Sequence, residues 1–376
     1  MTDPADLPES DRLPGAPHPR ETARLIGQAA AEAEFLKAHG AGRLHHGWLL
    51  TGPRGVGKAT LAWRIARFLL AEQKAEAGLF GAPPPPDSLD TDPDNPVVRR
   101  MAQLAEPRLF LLRRAWDEEK KRLKTVITVD EVRRLRSFFQ LSATEGGRRV
   151  AIVDAADEMN PNAANALLKI LEEPPPGAVL LLIAHQPARL LPTIRSRCRV
   201  LRLSPLGPDD LAAALAATGT ETAAAPGLAA LAAGSVGEAI RLADRGGLEL
   251  YARIVDMAAD LPRLDRAKMR ALADAAAQRG AEDRLDLILT LIDLFLTRLA
   301  RAGAMAPTGP EAAPGEAALL ARLCPDQRAA RAWADLAQAL SARSRAGAAV
   351  NLDPAALVID MVLRIDETAA RIARRG

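Results

Sequence analysis

Cysteine is nearly absent from this sequence: two residues, Cys198 and Cys324, stand far apart in 376. That count supports neither a disulfide framework nor a four-ligand zinc site, and it fits a reducing, cytoplasmic setting. Aromatic residues are equally scarce, at 3%. An excess of one charge is also missing, with 50 Lys and Arg against 47 Asp and Glu. The chain is therefore not a dedicated nucleic-acid-coating protein, although a local basic patch could sit within the balance. No long apolar run occurs. The strongest candidate, Leu285 to Leu299, is interrupted by Asp286 and Asp293 and is too short for a bilayer. The sequence opens on acids and prolines (Asp3, Pro4, Asp6, Pro8, Glu9), not on a basic region and an apolar stretch, so no signal peptide and no membrane partner are expected.

What is there is 48% apolar and 26% charged, a globular balance long enough for two or three domains. Alanine and leucine dominate, and both lose little side-chain entropy in a helix. Residues 1–20, rich in Pro, Asp and Gly, read as a disordered tail. A helix is expected from Glu21 to His39, then a short apolar run, Trp48 to Thr51, a glycine turn, and a second helix, Lys58 to Ala71. The Pro- and Asp-rich stretch Gly81 to Pro96 reads as an exposed loop. Four further apolar runs follow: Arg108 to Leu112, Val150 to Val153, Val179 to Ala184 and Val200 to Leu203. Runs without polar alternation suit strands buried on both faces. The reading is an α/β domain over 21–204 with a parallel sheet of about five strands. A small helical lid (205–248) and an all-helical domain (249–376) follow it.

The turn after the first strand reads Gly52-Pro53-Arg54-Gly55-Val56-Gly57-Lys58. Glycines let consecutive backbone N–H groups converge on phosphate oxygens, the lysine reaches the terminal phosphates, and the helix N-terminus adds favourable dipole charge. An ordinary glycine turn would explain the glycines alone. The next position should carry a Ser or Thr hydroxyl for Mg²⁺ but is Ala59, and Thr60 is rotated by about 100° along the helix. A second acidic group comes from the strand ending in Asp154. The glutamate expected directly after it, to activate water, is replaced by Ala155. Asp157 and Glu158 lie further on, as solvated loop acids or as groups carried back by the turn. The candidate nucleotide contacts are Gly52, Arg54, Gly55, Val56, Gly57, Lys58, Ala59, Thr60 and Asp154, with ATP or ADP the expected ligand.

The run from Asp154 to Pro176, with Asn165-Ala166-Leu167-Leu168-Lys169-Ile170-Leu171-Glu172-Glu173-Pro174-Pro175 at its centre, resembles the clamp-loader family of AAA+ proteins. So do Leu25-Ile26-Gly27-Gln28, Arg43 to Leu50, Ile127 to Arg133, the Ser196-Arg197-Cys198 triplet and the final run Asn351 to Ile365. The resemblance implies an AAA+ fold whose helical C-terminal domain joins an oligomeric collar. It implies that Arg197 reaches in trans into a neighbour's nucleotide site; an isolated surface arginine is the plainer alternative. Partners implied are motor subunits of the gamma/tau type and a delta subunit in a hetero-pentamer, a sliding clamp, and primed DNA. The chain would then belong to a DNA polymerase holoenzyme without polymerase activity of its own. Ala59, Ala155, Gly237 after Gly234-Ser235-Val236, and His185 at the end of the fourth strand all depart from the motor pattern. They imply a non-hydrolysing subunit, with Mg²⁺ left open. The cysteine-rich module usual before the second strand is missing, so zinc is not expected. Two readings stay open beside this one: an active motor rescued by Thr60 with Asp157 or Glu158, and a nucleotide- or DNA-binding adaptor outside replication. Arg133, Arg134 and Arg136 are a further basic run, either a phosphate contact or a solvated helix face.

Overall fold

Each of the five apolar runs forms a strand, within a residue of its expected ends. In chain order the computed structural model has α1 (Ala29–Gly40), β1 (Gly47–Thr51), α2 (Lys58–Ala71), α3 (Pro96–Ala102), β2 (Leu109–Arg113), β3 (Trp116–Asp117), β4 (Arg122–Leu123), α4 (Val129–Gln140), β5 (Arg149–Asp154), α5 (Pro161–Glu172), β6 (Ala178–Ala184), α6 (Pro192–Arg195), β7 (Arg199–Arg202), α7 (Pro208–Ala217), α8 (Ala225–Ala232), α9 (Val236–Asp244), α10 (Gly247–Ala259), α11 (Arg266–Ala276), α12 (Glu282–Ala304), α13 (Glu316–Leu323), α14 (Gln327–Ala349) and α15 (Pro354–Ala373). It describes residues 8–42, 44–72, 86–140, 147–219, 224–278, 282–305 and 310–374. Arg43, residues 1–7 and residues 81–85, all part of segments singled out above, lie outside these.

The sheet order is β2-β5-β6-β1-β7, with every neighbouring pair parallel. Strand alternation sends Leu49, Ala151, Val153, Leu180 and Leu182 to one face, where they join Val132 and Leu135 of α4 and Leu167, Ile170 and Leu171 of α5. Trp48 and its alternates turn to the other face, and the Trp48 ring lies 5.0 Å from Phe35 of α1. Burial on both sides is why these strands carry no polar alternation. The two-residue strands β3 and β4 pair antiparallel, and they are too short to leave a periodic signal.

Local signals set the helix starts. Asn160 accepts from the Ala163 N–H at 2.8 Å with Pro161 in the first turn of α5, and Asp353 accepts from Ala356 at 2.9 Å ahead of Pro354. Glu131 takes the Thr128 N–H at 2.7 Å, opening α4.

Three expectations are corrected. The first helix starts at Ala29, not Glu21, because Gly27 adopts φ +75° and the Gln28 amide is committed elsewhere. The disordered tail does not extend to residue 20. Residues 8–20 are described as packed structure, because Glu9 pairs with Arg20 at 2.7 Å and Arg113 at 2.9 Å and His18 is buried. The exposed loop ends early as well: Leu89 is buried, and Asp90 accepts from Arg64 at 2.9 Å.

The chain divides into two compact units rather than along the expected boundaries at 204 and 248. The first is Met1–Thr218 with Gly234–Glu238, and the second is Gly219–Ala233 with Ala239–Gly376. Helix α7 stays with the first unit because Leu206 and Asp210 press on Gly27, and the Leu206 N–H bonds to Gly234 O at 2.9 Å. The second unit is helical. In α12, Ile288, Ile292, Phe295 and Leu299 are buried and Leu285 is half-buried, and α12 packs along α14, where Trp333 is buried. Buried Glu316 collects Tyr251 Oη and Arg298 Nε, each at 2.6 Å, so this buried charge is paired. Among the described residues, no helix is long and apolar enough to cross a membrane.

Candidate functional site

β1 runs into the glycine turn, and α2 begins at Lys58, so the turn lies at the carboxyl edge of the sheet. Gly52, Gly55 and Gly57 have φ of +144°, +73° and +97°. At Gly52 a side chain would also meet the Leu203 carbonyl at 2.4 Å, which makes glycine obligatory there. Buried Lys58 donates Nζ to Gly52 O at 2.7 Å and to Pro53 O, spanning its own turn. Burial pulls its pKa down to about 8, against the opposing pull of Asp154 and Asp157. A buried cation held by carbonyls alone is suited to an anion. Gln28, also buried, bonds Val56 O at 3.1 Å and Ser204 O at 2.8 Å, tying the turn to the end of β7.

Asp154 ends β5, two strands from β1. Its pKa is pushed up to about 7, by burial first and then by Asp11 and Glu158, with Lys58 and Arg113 opposing. Asp157 spends both oxygens on the backbone N–H groups of His185 (3.1 Å) and Gln186 (2.9 Å) at the end of β6. Glu158 pairs with Arg54 at 3.0 Å and Arg114 at 2.7 Å. Neither acid is free as a base. His185 is held far below the usual imidazole range, at about 4, by burial and then by Lys58 and Arg54, so it is neutral at pH 7. The residues present fit a phosphate ligand: positive-φ glycines, a helix N-terminus and a buried lysine. They fit a bound Mg²⁺ poorly, since Ala59 and Ala155 offer no oxygen where hydroxyl and carboxylate are needed.

Gly237 closes against this turn. Its N–H donates to Gly55 O at 3.1 Å, and Ser235 Oγ donates to Arg54 O at 2.9 Å. A Cβ at Gly237 would stand 2.9 Å from Gly55 Cα. Any side chain at position 237 would force one of the two backbones to shift.

Arg197 lies elsewhere. It follows α6 and precedes β7, and its carbonyl is 3.3 Å from where a Cβ on Gly47 would stand, at the start of β1. Because β7 and β1 are parallel, Arg197 is at the amino edge of the sheet. The five residues of β1 separate it from the phosphate turn by about 16 Å. Its guanidinium is partly exposed, 3.0 Å from Glu172 Oε1 and bonded to Thr193 O at 3.1 Å. Cys198 is a packed thiol, pushed up to about 12 by burial. Arg133 is exposed and pairs with Asp130 at 2.8 Å.

The sequence reading missed three groups at the carboxyl edge, Arg113, Glu9 and Asp11. Arg113, at the end of β2, is adjacent in register to Asp154. It pairs with Glu9 and Asp11 of the leading segment. A lone arginine after an apolar run and two acids in a proline-rich stretch leave no pattern that joins them.

Residues 27–207 match a family model described as "DNA polymerase III, delta subunit". The delta' subunit of DNA polymerase III from Pseudomonas aeruginosa is 40% identical over 216 residues, 56% of this chain and 60% of that one. The gamma/tau subunit from Mycobacterium tuberculosis is 32% identical over 206 residues, 53% of this chain and 31% of that one. The aligned regions thus span less than two thirds of these relatives' own lengths. A DNA polymerase III gamma subunit-related protein from Thermotoga maritima superimposes with a TM-score of 0.38 at 15% identity, covering 89% of this chain and 99% of that one.

Proposed function

We propose that this chain, whose residues 27–207 match the model described as "DNA polymerase III, delta subunit", is the delta-prime-type subunit of a replicative clamp loader. In this reading it hydrolyses no ATP itself and lends Arg197 to the nucleotide site of a neighbouring ATPase subunit. Its partners are motor subunits of the gamma/tau type and a delta subunit in a hetero-pentamer. Its helical unit (expected as lid and collar) joins the ring, and the outcome is a sliding clamp loaded on primed DNA.

One observation carries the reading: the phosphate turn and Arg197 sit at opposite edges of one parallel sheet, about 16 Å apart. An arginine so placed is out of reach of its own chain's phosphates and is offered to another's. Guanidinium suits that task because it is always charged and presents a planar fork of donors to phosphate oxygens. The pairing with Glu172 does not oppose it strongly. Both side chains are about two-fifths exposed, and such a pair is worth about 1 kcal/mol or less. On the chain's own side, the missing hydroxyl at Ala59, the missing carboxylate at Ala155 and the commitments of Asp157 and Glu158 all argue against turnover. The same commitments weaken the motor reading.

The test is ATP hydrolysis by the purified chain alone and after mixing with gamma/tau-type and delta subunits. We expect no turnover alone, and a partner-dependent rate that falls at least about tenfold with Arg197→Ala. An unchanged rate in the assembled complex would remove the arginine assignment; robust turnover by the chain alone would restore the motor reading.

A further inference from the structure

The carboxyl edge of the sheet is covered by the chain's own leading segment. Arg113 ends β2 and Gly55 follows β1, three strand spacings apart, or about 14 Å. Glu9 and Asp11 pair with Arg113 at one side of that gap, and Leu13 reaches the other. Its Cδ2 lies 3.5 Å from the Cβ position of Gly237, which itself abuts Gly55. Between Glu9 and Leu13 the backbone turns, with the Arg12 N–H donating to Glu9 O at 3.2 Å, so side chains at both ends, the Glu9 and Asp11 carboxylates and the Leu13 isobutyl group, complete the crossing. The strand lying next to β2 along that path is β5, whose last residue is Asp154. Asp11 is close enough to Asp154 to disfavour its ionised form.

The crossing is anchored from behind. Arg67 of α2, itself buried, donates to Arg20 O at 2.8 Å and to Thr22 O, and buried Arg64 donates to Ala23 O. His18 is buried edge-on to Trp63, with ring centroids 6.4 Å apart. Its Nε2 stands 3.6 Å from both Glu9 and Asp11. Arg20 closes the loop on Glu9 at 2.7 Å. Arg67, a buried arginine of the helix that follows the phosphate turn, is thus spent on the backbone of this segment, while Arg64 divides between Ala23 O, Glu32 and Asp90. That is a costly placement unless its position matters.

We propose that Glu9–Thr22 is a strap that keeps nucleotide out of the chain's own phosphate turn, with Leu13 lying against the Gly237–Gly55 contact and the Glu9 and Asp11 carboxylates latched on Arg113. The proposal rests on reading the turn as a nucleotide site and is independent of Arg197. A nucleotide must displace the strap, and its phosphates add negative charge to an edge that already holds the Glu9 and Asp11 carboxylates. The segment 8–22 and the ligand therefore compete for one edge, and binding costs the Arg113 latch.

The test is equilibrium binding of fluorescent mant-ADP to the full chain: wild type, Glu9→Gln with Asp11→Asn, and Arg113→Met, which frees the strap without altering its charge. Hydrogen exchange of residues 8–22 with and without ADP is the second readout, and thermal melts check that each variant is folded. We expect both unlatched forms to bind at least about tenfold more tightly than wild type, and Lys58→Ala in either background to abolish the gain. In wild type, saturating ADP should raise exchange across 8–22. Equal affinity in all forms, whether uniformly tight or uniformly absent, would overturn the strap. So would ADP binding that leaves exchange in 8–22 unchanged. A complex in which Arg197 proves dispensable would overturn the trans reading and leave these results untouched.

Discussion

At the residue scale, the consequential differences are single atoms. Ala59 lacks one hydroxyl, and Ala155 lacks one carboxylate; both were legible from the sequence because the motif fixes where those groups belong. What was not legible is how Asp157 and Glu158 are used. Their roles depend on β6 ending beside β5 and on Arg54 and Arg114 arriving from separate segments. Asp154 offers a pH prediction. Its folded pKa, about 7, lies above the ordinary aspartate value of 3.8. A raised carboxyl contributes stability that is fully present below the unfolded pKa and is lost as pH rises through the folded one. Asp154→Asn has no such charge to bury. The melting temperature of the variant minus that of the wild type should therefore rise between pH 4 and pH 7.5. A flat difference across that window would show that Asp154 is not held protonated by its surroundings.

At the element scale, strands and caps follow from the sequence where one local cause suffices. The five buried runs, Asn160 before Pro161, and Asp353 before Pro354 are cases of this kind. The start of α1 does not, because Gln28 is diverted by partners at Val56 and Ser204, the second of them 176 positions away. Residues 8–20 are the clearest failure. Their composition resembles a disordered tail, yet each acid has a basic partner supplied by β2, or by His18 and Arg20 further along the segment. Composition records no partner, so no windowed reading finds it. The first turn of α9 offers a test of close approach. An arginine at position 237 would match the motor pattern, but its Cβ would stand 2.9 Å from Gly55 Cα, a backbone atom with no rotamer to yield. Gly237→Arg should therefore lower stability by about 1–3 kcal/mol in urea unfolding and confer no ATP turnover. An unchanged midpoint would mean the turn relaxes freely and the glycine is dispensable.

At the scale of the whole molecule, the parallel sheet gives the first unit a polarity. All five strands point the same way, so groups at their carboxyl ends and groups at their amino ends face opposite directions. Lys58 belongs to the first edge and Arg197 to the second, about 16 Å away, and the hydrogen bonds and ion pairs they make have no residue in common. Groups so separated act independently, and their substitutions add in free energy. If the chain serves a neighbour through Arg197 alone, Lys58→Ala should leave the partner-dependent ATPase rate of the assembled complex within about twofold of wild type, while Arg197→Ala lowers it at least about tenfold. The double variant should then match Arg197→Ala. Steady-state hydrolysis by complexes rebuilt with each form decides the matter. A large loss with Lys58→Ala would mean that this chain's own phosphate turn takes part in the cycle, and that the two edges communicate through the sheet rather than working as separate surfaces.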